Sequence, residues 1–398
     1  ETMDTGVGNA IDKFTRHVGW SHPGGPKVEA AAKEGEYVEL PYVVKGMDFS
    51  FSGIMSAAKE AYDGGEPIED VCFSLQENIF AMLTEVSERA LALTGSDELV
   101  LGGGVGQNDR LRGMLGKMCA QRGADFYAPE ARFLRDNAGM IAVLGAKMYV
   151  AGDTLELEAS GIDADFRPDA VCVTWRGRES VTAPAEGASG GEPRGGQESV
   201  NRQVEPGEHV QGAEATVTFE GDSVVKERNP REYRHPTLDE RLRVERTREE
   251  ARLTSEARRV GVPTPVLRDV DPAEGRLVFQ HVGSRDLRDA LTEARVRTVA
   301  RHLATIHGAG FVHGDPTTRN VRVGGEDLDL FLIDFGLGYY TDDAEDHAMD
   351  LHVFGQSLAG TADDADRLVA AAEEAYREHG DAAVLSRLRE IEGRGRYQ

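Results

Sequence analysis

The sequence predicts two modules in tandem, an α/β module followed by an α+β bilobal one, joined by a flexible tether. Three observations carry this reading. Residues 183–197 are rich in Gly, Pro, Ser and Glu and have no apolar period, so they cannot bury enough surface to fold. Before them, Leu99-Val100-Leu101 runs into the glycine loop Gly102-Gly103-Gly104-Val105-Gly106. After them, Asp315, Asn320 and Asp334 follow a predicted hairpin at spacings of five and fourteen residues. The expected division is 1–180, a linker at 181–207, and 208–398.

The first module reads as follows. Cys72, Leu75, Ile79, Leu83 and Val86 have helical spacing within Val71 to Leu93. Leu99-Val100-Leu101 reads as a short buried strand, and a helix begins near Asp109. Residues 137–150 form a second apolar helix, and Val171 to Trp175 a closing strand. In the second module, residues 215–219 and 223–226 form a hairpin across Glu220-Gly221-Asp222. A long charged helix spans Leu238 to Val260, a strand Leu277 to Gln280, and a helix Arg295 to His307.

The chain has 398 residues, of which 40% are hydrophobic, enough for two ordinary cores. No run of about 18 apolar residues occurs, so no membrane partner is expected. The start, Glu1-Thr2-Met3-Asp4, has no signal-peptide pattern and no initiator Met, which suggests a piece of a longer, cytoplasmic protein. The three cysteines, Cys72, Cys119 and Cys172, make neither a zinc nor a disulfide framework. Net charge is −25, from 70 acids against 45 bases. The acids are spread along the chain, as in a surface adapted to high salt. In molar salt the Debye length falls to about 3 Å, so this charge does not argue against an RNA partner.

The run His313-Gly314-Asp315-Pro316-Thr317-Thr318-Arg319-Asn320, with Asp334-Phe335-Gly336, is the residue set that kinase-like enzymes use to hold a hydroxyl nucleophile and Mg2+ against ATP. Asp315 would orient or deprotonate the nucleophile, and Asn320 and Asp334 would ligate Mg2+. Arg319 would face the transferring phosphoryl group. Lys226 ends an apolar strand, where such enzymes put the lysine that grips the α- and β-phosphates. Glu250 is the first choice for its partner and Glu249 the second; by itself, either would be a solvated helix face. The phosphate-covering loop, Gln211-Gly212-Ala213-Glu214-Ala215, has only one glycine. Gly314 stands where an arginine usually answers a phosphorylated activation loop, so control by loop phosphorylation is not expected.

From Val210 to the end, these residues resemble the small atypical Ser/Thr kinase of the KEOPS complex, related to the RIO kinases. The most specific pieces are Gly212-Ala213-Glu214-Ala215, Arg248-Glu249-Glu250-Ala251-Arg252, and His313-Gly314-Asp315 with Thr317-Thr318. The resemblance implies a minimal protein-kinase-like fold that acts as ATPase or kinase in support of tRNA modification. It also places Gly212, Ala213, Glu214 and Ala215 with Lys226 and Glu250 at ATP.

Up to Trp175 an ordered set of motifs is similar to the universal tRNA threonylcarbamoyladenosine transferase family. The set comprises Asp12 in Gly8–Phe14, Pro23-Gly24-Gly25-Pro26 before Glu29, Phe49 to Gly53, the glycine loop ending in Gln107-Asn108, and Asp136-Asn137-Ala138-Gly139. The resemblance implies the second lobe of an actin/Hsp70/sugar-kinase-like (ASKHA) fold. It places Asp12, Gly25, Glu29 and Asn108 at the nucleotide-like substrate and makes Asp136 a metal ligand. Without it, Asp136 would read as a helix N-cap. The family's site for one Fe2+ or Zn2+ also needs two histidines at H-x-x-x-H spacing. No such pair occurs here, so this chain is expected to bind that metal weakly and not to catalyse the transfer alone.

Together the halves suggest a fused transferase and kinase of archaeal KEOPS type. By resemblance, its partners are tRNA, threonylcarbamoyl-adenylate and other KEOPS subunits. Two other readings stay open: a stand-alone kinase with a regulatory nucleotide-binding module, and a chain whose first module only scaffolds partners.

Overall fold

The computed structural model describes residues 2, 4–134, 138–157, 160–161, 173–175, 209–211, 215–325, 329–362 and 364–396. The N-terminal half opens with α1 (Val7–His17) and α2 (Gly25–Ala31), then the short hairpin β1 (Val44–Lys45) and β2 (Asp48–Phe49). Next come α3 (Ser52–Asp63) and the 27-residue α4 (Ile68–Thr94), which Gly95 ends in the left-handed region at φ 67°. β3 (Glu98–Val100), α5 (Asp109–Arg122) and β4 (Asp125–Tyr127) form a parallel crossover, and α6 (Ala138–Val150) follows. The core gathers Phe14, Phe51, Leu75, Ile79 and Met114 between α1, α3, α4 and α5. Cys72 and Cys119 are buried free thiols within it, which fits their reading as small hydrophobes; Cys172 lies outside the described residues.

Two expectations need correction here. The strand expected to be buried is exposed at Val100 (70%), because α5 covers only one face of the two-stranded sheet. Residues 173–175 belong to no strand, and Val171 and Cys172 lie outside the described residues. The apolar run of α6 forms a helix as expected, but none of its residues is buried.

The C-terminal half begins with β5 (His209–Gln211), β6 (Thr216–Glu220) and β7 (Ser223–Glu227), joined by a tight turn with Gly221 at φ 62°. α7 (Pro236–Arg259) follows, then β8 (Leu267–Asp271) and β9 (Arg276–Gln280). These strands make a five-stranded antiparallel sheet in the order β5-β6-β7-β9-β8. A helical lobe then carries β10 (Arg285–Asp286), α8 (Glu293–Gly308), β11 (Phe311–Val312), β12 (Val321–Val323), β13 (Leu330–Leu332) and β14 (Tyr339–Tyr340). It closes with α9 (Ala344–Ala359), α10 (Ala365–Arg377) and α11 (Ala382–Arg396). Side chains cap two of these helices: Thr292 accepts from Arg295 N, and Asp343 accepts from Glu345 N.

The two halves pack through α4 and α7. Leu238 and Leu242 of α7 meet Ala81 with Tyr37 and Tyr42, and Tyr233 is fully buried in the N-terminal core. Glu85 of α4 accepts hydrogen bonds from Tyr42 (2.6 Å), Arg234 (2.6 Å) and Arg246 (2.7 Å), as well as from Arg89. Burial alone would raise its pKa, but Arg246, Arg89 and Arg234 hold it well below the usual carboxylate range. A shared buried carboxylate of this kind fixes geometry, because any other docking would strand its charge.

Candidate functional site

Strand alternation builds the charged floor of the cleft between the sheet and the helical lobe. Val224, Lys226 and Arg228 lie two residues apart, so β7 and its continuation turn them to one face. Lys226 Nζ donates to Glu250 Oε1 and to Asp334 Oδ1, each at 2.8 Å. Arg228 donates to the other oxygen of Glu250. Glu250 is 1% exposed, so it is no solvated helix face, whereas Glu249 pairs outward with Arg252. Burial opposes the charge on Lys226, but Asp334 and Glu250 outweigh it and raise its pKa. Asp334, whose side chain stays 48% exposed, is likewise held well below the usual carboxylate range: partial desolvation in the cleft pushes it up, and Lys226 overcomes that.

Above this floor lies a pocket of about 150 Å³. Val217, Phe219, Val224, Phe279 and Ile333 supply apolar walls, and Gln280-His281-Val282 forms one edge. An apolar slot over two carboxylates and a lysine suits a flat base with a phosphate tail. Ala215 is buried at 5% exposure, while Gly212, Ala213 and Glu214 lie outside the described residues.

The residues of the 313–320 loop are held from below. Gly314 has φ 83°, and a Cβ there would lie 2.1 Å from Leu337 O. An arginine therefore cannot occupy this position, whatever the means of regulation. Asp350 of α9 accepts from the backbone amides of His313 (2.7 Å) and Gly314 (2.8 Å). The hydrogen bonds assign the His313 tautomer: Nε2 donates to Ile333 O at 3.0 Å and Nδ1 accepts from Asp315 N at 3.3 Å. Burial lowers its pKa, which agrees with a neutral ring. Asn320 Nδ2 donates to both Asp315 O and Asp315 Oδ2 at 2.9 Å, leaving its oxygen for another partner. Asp334 has φ 62°, the one positive φ outside glycine among the described residues. Such a backbone costs about 1–3 kcal/mol and is kept where other contacts over-determine it. Here Lys226 and the Gly336 amide hold the side chain. Arg319 is exposed.

In the N-terminal half, Asp12 Oδ1 accepts from Gly24 N at 2.8 Å, and Oδ2 lies 3.2 Å from His22 Nδ1. Gly24 is the crowded glycine, where a Cβ would lie 2.2 Å from Thr15 Oγ1; Gly25 faces open space. Glu29 accepts from Asp109 N at 3.1 Å, at the start of α5. Asn108 caps that helix, accepting from Arg110 N at 2.9 Å, and donates to Gln76 Oε1 at 2.9 Å. Glu29 and Asn108 thus meet beside the glycine loop, and α1 reaches it through Gly8 and Val105. Asp136 lies outside the described residues. Among the described residues no group of three His, Cys, Asp or Glu could hold a metal, and no helix is long and apolar enough to cross a membrane.

Sequence reasoning missed Asp350, Arg228 and His307. His307 bonds Asp350 at 3.1 Å and Tyr376 at 2.8 Å, which ties α8, α9 and α10 together beneath the loop. Only Arg228 had a local signal, its place two residues after Lys226 on one strand face.

Residues 1–143 match the family described as tRNA N6-adenosine threonylcarbamoyltransferase. All of the chain aligns with probable bifunctional tRNA threonylcarbamoyladenosine biosynthesis proteins. It is 70% identical to that of Haloarcula marismortui and covers 70% of its length. It is 46% identical to that of Methanosarcina acetivorans and covers 72% of it. Among solved structures, 48% of the chain overlays 71% of a Rio2 kinase from Chaetomium thermophilum at 14% identity and TM-score 0.32, a likeness too slight to carry an argument.

A module that matches the tRNA N6-adenosine threonylcarbamoyltransferase family, followed by a sheet-and-helix lobe pair in one chain aligned end to end with bifunctional proteins, points to the class of bifunctional tRNA-modifying proteins. The chain belongs to the bifunctional tRNA threonylcarbamoyladenosine biosynthesis protein family.

Proposed function

We propose that residues 208–398 bind ATP with a divalent metal and cleave its γ-phosphate, by hydrolysis or by transfer to a Ser/Thr hydroxyl. This would support the transfer of threonylcarbamoyl from its adenylate to N6 of a tRNA adenosine by the module at 1–180. The observation that carries the kinase-like half is Lys226 bridging Glu250 and Asp334 at 2.8 Å each.

In this reading Lys226 meets the α- and β-phosphates, and Glu250, clamped by Arg228, keeps it aimed. Residues Gly212, Ala213, Glu214 and Ala215 cover the phosphates. A carboxylate and an amide oxygen are the hard donors that magnesium prefers, so Asp334 and Asn320 suit Mg2+. When bound, the ion would neutralise charge on the phosphate oxygens. Asp315 accepts the proton of the attacking hydroxyl or water, the bond from γ-phosphorus to the bridging oxygen breaks, and ADP leaves with that electron pair.

In the first module Asp12, Gly25, Glu29 and Asn108 would contact the adenylate beside the glycine loop. Glu29 suits a ribose hydroxyl, since a carboxylate accepts such hydrogen bonds. Among the described residues no cluster of His, Cys, Asp or Glu could hold Fe2+ or Zn2+. Further KEOPS subunits are the proposed protein partners.

ATP hydrolysis by the purified chain tests the kinase half. Asp315→Ala and Asp334→Ala should each lower kcat by roughly 10²-fold or more. Variants that keep wild-type turnover would remove Asp315 and Asp334 from the mechanism.

A further inference from the structure

The pocket above Lys226 is lined by a second permanent cation, Arg322, which the phosphate chemistry does not use. Its contacts are with the Gln280–Val282 edge and its continuation, not with Glu250 or Asp334. Arg322 Nε donates to Val282 O at 3.5 Å, and Nη2 donates to Gly283 O at 3.4 Å. Strand alternation puts it there. Val321 and Val323 of β12 are buried in the core of the helical lobe, so Arg322 between them faces the other way, toward the sheet.

The side chain is fixed along its whole length. Asp286, its cross-strand partner on β10, accepts from Nη1. The chain at 283–284 folds over the stem: Ser284 N donates to Val323 O at 2.9 Å. Gly283 has φ 63°, and a Cβ there would lie 2.8 Å from Arg322 Cβ. The N–H groups of a guanidinium lie in its plane, so a carboxylate and two carbonyls at its edge set that plane and leave its faces open. From the other side of the pocket the sheet contributes Val217 and Val224. A slot with an apolar ceiling and a guanidinium on its floor suits a flat aromatic ring, with dispersion above and cation–π attraction below. The Arg322 side chain is 18% exposed, and burying a cation to that degree costs desolvation that an apolar floor would not.

We infer that Arg322 is a specificity residue of this pocket: its guanidinium is the platform on which the base of a purine nucleotide stacks, and it favours purines over pyrimidines. The inference rests on the reading of the pocket as an ATP site. The two fused rings of a purine cover more of such a platform than the single ring of a pyrimidine.

Calorimetric titration of the full chain with ADP, GDP, CDP and UDP, each with Mg2+, tests this without turnover. Wild type should bind the two purine nucleotides more tightly. Arg322→Met, which keeps the stem and removes the charge, should narrow the purine-to-pyrimidine affinity ratio by about 3- to 10-fold. Arg322→Lys, which keeps the charge and loses the plane, should narrow it in part. A residue that only braced the 282–284 segment would weaken all four nucleotides alike; that outcome, or an unchanged ratio, overturns this proposal alone. Wild type that binds none of the four overturns the ATP reading and this proposal with it. A crystal of the full chain with ADP and Mg2+ needs no variant. The base ring should lie within about 6 Å of the Arg322 guanidinium, and a base bound elsewhere contradicts the platform even if neither variant folds.

Discussion

Asp350 accepts the backbone N–H of Gly314 at 2.8 Å, so a residue on α9 sets the path of the loop that carries Asp315. The same carboxylate also takes the His313 amide and the His307 ring. Removing it strands the buried His313 amide and the half-buried Gly314 amide. Asp350→Ala should therefore cost about 2–4 kcal/mol in urea unfolding. Asp350→Asn, which keeps one acceptor oxygen, should cost less and retain part of the ATP turnover. Equal effects of the two substitutions would contradict this role.

Gly314 answers a steric demand. Its φ of 83° and the 2.1 Å approach to Leu337 O leave no room for a Cβ. Gly314→Ala should destabilise by more than ~2 kcal/mol, and Gly314→Arg should give little folded protein. Circular dichroism melts of both variants check this; a wild-type midpoint for Gly314→Ala would show that the loop relaxes freely.

Glu85 is the hub of the contact between the halves, with a side chain 4% exposed and three arginines upon it. Glu85→Gln leaves those cations without their shared anion. A loss of about 3–5 kcal/mol is expected, with the halves melting in separate steps. Scanning calorimetry reads both effects, and a single unshifted transition would speak against the hub.

Burial holds the His302, His307 and His313 rings below the ordinary imidazole value, His302 at about 4. As pH falls below about 6.5, the unfolded chain takes up protons on these rings and the folded chain does not. Their contribution to stability is thus fully present above pH 6.5 and is lost as pH falls toward about 4, the value for His302. Asp334 and Glu85, with lowered values, lose theirs only in stronger acid. Urea midpoints at pH 7.5 and pH 5 should differ, and His302→Gln should narrow the gap. A midpoint flat across that range would contradict the account.

What the sequence made legible was local. Asp315 and Asn320 stand on one loop and Asp334 just past the β12–β13 hairpin, all at fixed spacings, and Lys226 lies near the end of a strand whose hairpin partner adjoins it. Glu250 could be picked on helix position, although only packing distinguishes it from Glu249. Arg234 and Glu85 were invisible, because 149 residues separate them and each looks like an ordinary surface charge in its own window. Asp350 was hidden for the same reason, 36 residues from Gly314. The burial expected at Val100 failed because a strand's apolar run reports its propensity and says nothing of what covers it.

The central claim is that the Lys226–Glu250–Asp334 floor serves tRNA modification. The most direct measurement is the threonylcarbamoyladenosine content of tRNA from cells whose only copy of the full-length protein carries Asp334→Ala. The account predicts that most of the modified nucleoside disappears while the protein stays folded and abundant. Modified tRNA at the wild-type level would contradict it.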